Sequence, residues 1–215
     1  MWHWLTSLFK STTPTVKDSL SVAQCGPRAL ALILEFEGID QPWQRPPGES
    51  GITIGVGFDM GYCTKQELFT AWDRHLNDKS LDVLSRAIGR KGHSASLLER
   101  DMFGCQRITK ESAYEVFERC TLPKWKAAAA KTFPGLQVLT PDQQGVLVSL
   151  VFNRGPSLAG PRRREMANIR DILLNPAIQN KPAALAQQFL GMRRLWPDIP
   201  GLQRRRNAEA SLMNS

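Results

Sequence analysis

"GITIGVGFDMG", residues 51–61, decides how this chain is read. With a period of two, Ile52, Ile54, Val56 and Phe58 point one way; Thr53, Gly55, Gly57 and Asp59 point the other. One face is apolar and bulky. The other sets two glycines between a hydroxyl and a carboxylate. Glycine inside a strand weakens it, so the pair needs a reason. Two remain open at this level. The stretch is a bulge or tight turn in a half-buried hairpin, or it is a bare floor for a ligand, with Thr53 and Asp59 at its ends.

Upstream, "PRALALILEFEG" (27–38) predicts a helix, with Pro27 in its first turn and Gly38 as its C-terminal stop. Glu37 follows Leu30, Ile33 and Leu34 at spacings of seven, four and three, so it shares their apolar face, while Glu35 points away. A carboxyl on the apolar side of a helix end is partly desolvated, and the negative helix end adds to the effect. That is the setting a general acid needs near neutral pH. A structural Glu37, capping a loop or pairing with an arginine, is the alternative. A turn-rich loop, "IDQPWQRPPGES" (39–50), joins this helix to the glycine stretch.

The rest of the chain predicts helices. "TKQELFTAWDRHL" (64–76) opens on a capping box, Thr64 to Glu67. "KSLDVLSRAIG" (79–89) is a short helix, and residues 90–107 are a polar loop with one helical stretch. A helix starts at Thr109, and Pro123 should kink or break it before "KWKAAAAKTF" (124–133) resumes. "TPDQQGVLVSLVFNRG" (140–155) has Thr140 as cap, Pro141 at the first helical position and Gln143 closing the box. Being almost wholly apolar beyond, it is the expected central buried helix. Helices over 163–175, 181–196 and 200–213 complete the chain. The fold class is α+β, with one small sheet early and many helices after it.

The 215 residues suffice for one large domain with a proper core. No apolar run is long enough to span a bilayer. Residues 1–20 read as a tail without a signal-peptide pattern, and 21–215 as the domain. The formal net charge of +8 suits a polyanionic partner: nucleic acid, anionic lipid, or a bacterial wall bearing carboxylates and phosphates. Cys25, Cys63, Cys105 and Cys120 are scattered, away from His3, His75 and His93, so no zinc site is expected. Free buried thiols are the default, with one disulfide open to an oxidising compartment.

Several segments together resemble phage-type lysozymes. "FEG" (36–38), a loop, then "GITIGVG" (51–57) is similar to the family's catalytic Glu before Gly and its Thr-Ile-Gly strand. "ITKESAYEVFE" (108–118) resembles the start of the long helix joining the two lobes. "VLVSLVFNRG" (146–155) resembles the buried helix of the C-terminal lobe, and "PGLQRRRNAEASL" (200–212) the closing Gly-Leu and Arg-Arg-x-x-Glu segment. The likeness runs from about residue 25 to the end.

One position departs. The common pattern has an Asp six residues before the strand Thr, where this chain has Pro47. The pesticin-like branch instead has an Asp six residues after that Thr, where this chain has Asp59. The resemblance therefore implies Glu37 as acid, Thr53 as water-positioning hydroxyl, and Asp59 as base or electrostatic partner, with Glu49 its rival. Gly55 and Gly57 would admit a sugar ring. Asn153 would line the cleft or cap its helix. Arg205 would hold Glu37 or the substrate. Arg162, Arg163 and Arg164 form a basic face, and Trp43 stacks on a sugar or joins the core.

The resemblance further implies a lysozyme-like fold, with a small sheet-bearing N-terminal lobe, a mainly helical C-terminal lobe and the cleft between them. The expected activity is hydrolysis of the β-1,4 bond between N-acetylmuramic acid and N-acetylglucosamine in peptidoglycan. No metal, organic cofactor, nucleic acid or stable membrane insertion is implied. A monomer is expected, made in the cytoplasm and acting in the periplasm or wall after release, export or injection, as a phage endolysin or an antibacterial effector. An immunity protein or delivery machinery would be its further partners. The rivals are a lytic transglycosylase and a non-catalytic basic binder of wall or nucleic acid.

Overall fold

The computed structural model describes residues 22–43, 45–46 and 48–215. The expected N-terminal tail lies outside the described residues, as does Pro47. In chain order the elements are α1 (Pro27–Phe36), β1 (Thr53–Ile54), β2 (Phe58–Asp59), α2 (Lys65–Trp72), α3 (Asp78–Ser85), α4 (Gly92–Ser96), α5 (Lys110–Val116), α6 (Leu122–Thr132), α7 (Pro141–Arg154), α8 (Arg164–Leu174), α9 (Lys181–Gly191) and α10 (Pro200–Met213). The fold is mainly helical with one small antiparallel sheet among the described residues, as an α+β class requires.

α1 and α7 form the frame. Gly26, at the start of α1, has no side chain to cap the helix. Asp142, in the first turn of α7, does this from outside: its Oδ1 accepts from Arg28 N at 3.0 Å and Ala29 N at 3.1 Å. Orphan amides are satisfied, and a negative charge meets the positive helix end. The two helices touch closely at Gly145, where an added Cβ would lie 2.3 Å from the Ala29 methyl. α7 itself is buried from Gln143 to Val151, and its Thr140–Gln143 capping box forms as expected. α6 packs on α7, and α10 packs on α1, α7 and α9.

Three expectations are corrected. First, residues 51–61 are not one strand. β1 and β2 pair antiparallel, with Thr53 opposite Asp59 and Ile54 opposite Phe58. Gly55-Val56-Gly57 forms the turn, and both glycines have left-handed backbones, φ +59° and +66°, which only glycine adopts cheaply. Second, α1 stops at Phe36. Glu37 caps it with an extended backbone, φ −103° and ψ 132°, so the end owes nothing to a left-handed Gly38. Third, of the kink or break expected at Pro123, the break does not occur. The backbone stays helical from α5 to α6 through one wide π-type turn, Phe117–Thr121. That turn relieves the missing amide and the ring clash of the proline.

The remaining loop anchors close the structure. Asp40 and Gly55 exchange backbone hydrogen bonds, Asp40 N to Gly55 O at 2.8 Å and Gly55 N to Asp40 O at 2.9 Å. The segment after Glu37 is thereby fastened to the hairpin turn. One apolar core extends from Ala23 to Met213.

The α1–α7 contact yields a prediction opposite to helix propensity. Alanine normally stabilises a helix interior by ~1 kcal/mol relative to glycine. Gly145→Ala should instead destabilise the fold by ~1–3 kcal/mol, the range for overpacking, measured by urea denaturation. A stabilised variant would refute the close approach.

Candidate active site

The pieces placed by α1, the hairpin and α7 surround a cavity of about 730 Å³. Glu37, Asp40, Thr53, Gly57 and Asp59 line it from the N-terminal side. Thr121, Lys124 and Trp125 line it from the π-type turn and α6, and Phe152 and Asn153 from the end of α7. The expected residues Glu37, Thr53 and Asp59 share this one cavity.

Their positions follow from local structure. Directly opposed residues of an antiparallel pair project to the same face, so the Thr53–Asp59 register sets hydroxyl and carboxylate side by side. Thr53 is buried, and its Oγ1 donates to Gly51 O at 3.3 Å. The Asp59 carboxylate accepts from Gly61 N at 2.7 Å and from Gly51 N at 3.0 and 3.2 Å. Asp59 therefore organises both chain segments flanking the hairpin.

Glu37 is held from below. Its Oε1 pairs with Arg205 Nη1. The Arg205 side chain is only 3% exposed, and it also donates to Glu209 Oε1 at 3.2 Å and to Ser149 Oγ at 3.0 Å. Glu209 is completely buried and sits 2.9 Å from Arg206. Arg206 Nη2 in turn donates to Asn153 Oδ1 at 3.2 Å. The network thus starts under Glu37 and surfaces again in the cavity at Asn153. Four charges of alternating sign compensate one another, which a buried ion pair requires.

Several expectations change in detail. Arg205 holds Glu37 and is not among the cavity-lining residues, because it lies beneath the carboxylate. Gly55 does not line the cavity either; a Cβ there would meet the Trp72 ring at 2.8 Å, so the turn packs on α2. Gly57 does line it, although a Cβ would meet Phe152 at 2.7 Å. Its lack of a side chain serves turn and packing first. Glu49 is exposed and lies against Gly92, away from the cavity lining. Trp43 packs against the core, and Trp125 stands in the cavity instead, edge-on to Phe152 at 5.3 Å. The four cysteines are free thiols. Burial pushes the cavity-lining Cys63 up to about 11, so it stays neutral.

Asp40, which carried no expectation from the sequence, also lines the cavity. Burial pushes its carboxyl up from 3.8 to about 6, and the charges of Glu37 and Asp59 add to the effect. A carboxylate three residues beyond the candidate acid was the available signal. Thr121 and Trp125 also carried no expectation, since Pro123 between them pointed to a kink or break, not to a continuous cavity wall.

No protein-family model matches the chain, and no curated protein matches it.

The buried network carries a stability prediction. Glu209→Ala leaves Arg206 without its carboxylate and Arg205 with one partner fewer. Removing one partner of a buried pair costs ~3–5 kcal/mol, and chemical denaturation should show a loss of that order. A loss under ~1 kcal/mol would mean the guanidiniums are solvated.

Proposed function

We propose that this protein is a peptidoglycan hydrolase that cleaves the β-1,4 bond between N-acetylmuramic acid and N-acetylglucosamine. The observation that carries this reading is the meeting of Glu37, Thr53 and Asp59 on one cavity, with Glu37 oriented by a buried arginine. Glycoside hydrolysis needs a carboxylic acid at the leaving oxygen and a second carboxylate near the sugar. Glu37 is the acid. Thr53 positions water, and Asp59 is base or electrostatic partner. Trp125 and Phe152 offer apolar surface to sugar rings, and Asn153 offers an amide. The small hairpin side and the helical side would then be the two lobes of a lysozyme-like fold. The likeness to phage-type lysozymes in the segments around Glu37, Thr53 and Glu209 supports the same reading. Activity would be exerted on the bacterial wall, as a phage lysis enzyme or an antibacterial effector, without a metal or organic cofactor.

The hydroxyl beside a carboxylate favours inversion, in which water is aimed at the anomeric carbon; a nucleophilic carboxylate needs no such helper. NMR on a chitin-type or wall oligosaccharide should therefore show the α anomer first. A β product, or an anhydro product by mass spectrometry, would replace this reading by a retaining hydrolase or a lytic transglycosylase.

Glu37→Gln keeps shape and removes the proton donor. General acid catalysis contributes ~10²–10⁴-fold, so wall-clearing activity should fall by at least two orders. A variant keeping more than a tenth of the activity would take Glu37 out of the acid role.

A further inference from the structure

We infer that Asp40 is the general base of this site, and that Asp59 is its electrostatic and structural partner. The inference rests on the hydrolase reading above and goes beyond it by assigning a residue outside the implied set.

Three carboxylates line the cavity, and they differ in what occupies their oxygens. Glu37 is taken by Arg205. Asp59 accepts three backbone bonds from Gly51 and Gly61. A carboxylate committed to amides on either side of a hairpin cannot turn toward water without releasing those segments. Asp40 alone of the three accepts no hydrogen bond and makes no ion pair among the described residues. Its backbone, by contrast, is fixed by the two-way exchange with Gly55. A rigid main chain carrying an uncommitted carboxylate into a cavity is what a base needs.

Glu37 and Asp40 stand three residues apart, with their Cα atoms at most ~10 Å from each other, and both side chains line the cavity close enough for their charges to interact. An inverting pair stands ~6.5–9.5 Å apart, with water between. Water attacks the anomeric carbon while its proton passes to the Asp40 carboxylate. The glycosidic C–O bond breaks, and the leaving oxygen takes the Glu37 proton. Exchange with solvent restores both.

The surroundings of Asp40 suit this task. Burial and the two neighbouring carboxylates push it up to about 6, near the range in which a base is both ionised and effective at neutral pH. Glu37 faces it from the end of α1 and Asp59 from β2. Tyr62, Cys63 and Lys124 are the other titratable groups lining the cavity, and Arg205 approaches only through Glu37.

The sign of the stability effect follows. The folded protein holds the Asp40 proton more tightly than the unfolded chain. Its contribution is therefore fully present below pH 3.8, declines as pH rises to about 6, and stays lost above. Asp40→Asn should melt higher than wild type at pH 7, with the difference opening between pH 4 and 6. The same variant should lose ~10²–10⁴-fold in kcat, with KM little changed, and should lose the acid limb of kcat/KM near pH 6. Asp59→Asn should lower the melting temperature and retain that limb.

Purified wall glycan is the assay substrate, with wild type, Asp40→Asn and Asp59→Asn compared from pH 4 to 8. If wild type cleaves and Asp40→Asn keeps more than a tenth of kcat, or keeps the limb, Asp40 is not the base, and the hydrolase reading stands. If wild type releases no reducing ends at any pH, that reading falls and the role of Asp40 with it.

Discussion

Arg205 is the centre on which the rest depends. It is buried under the candidate site, with Glu37 above it and Glu209 and Ser149 beside it. A buried guanidinium is tolerable only when its charge and donors are met. Each partner comes from a different part of the chain: Glu37 from the end of α1, Ser149 from α7, Glu209 from α10 itself. Satisfying one cation therefore fixes how three helices meet. The cavity lies on the exposed side of that junction.

α1 is fastened at both ends by charge. Asp142 holds its first amides and Arg205 holds the carboxylate just past its last turn. Between them, Gly145 lets α7 approach without a side chain in the way. The described residues of the loop after α1 form no helix or strand, yet Asp40 is pinned to the hairpin by two backbone bonds. An irregular segment can carry precise chemistry when its ends are held this way.

The cavity concentrates negative charge on one wall. Glu37, Asp40 and Asp59 crowd together, and among the described residues only Glu37 has a cationic partner. Such crowding opposes folding. The opposite wall is aromatic, with Trp125 against Phe152. Lys124, on the rim, is already paired with Glu67 at 2.5 Å. Among the described residues no lysine or arginine forms an ion pair with Asp40 or Asp59.

The sequence by itself determined the elements whose causes are local. The capping boxes at Thr64–Glu67 and Thr140–Gln143, Pro27 and Pro141 at helix starts, and the apolar run of α7 were all legible, because each depends on residues within one or two turns. The α+β class followed from them. So did the grouping of Glu37, Thr53 and Asp59 as candidates, though through likeness to a family and not through spacing alone. Only the tertiary structure decided the rest. Two glycines with period-two neighbours suit a strand or a turn equally well; Trp72 and Phe152, packing from α2 and α7, select the turn. Pro123 forbids one hydrogen bond, but a wider turn upstream absorbs the cost when both flanking helices bury one face in the core. Asp40 looks like an ordinary loop residue until its chain is paired to Gly55 and two other carboxylates are brought beside it. Burial, orientation and charge crowding arise between segments distant in sequence, and no local pattern encodes them.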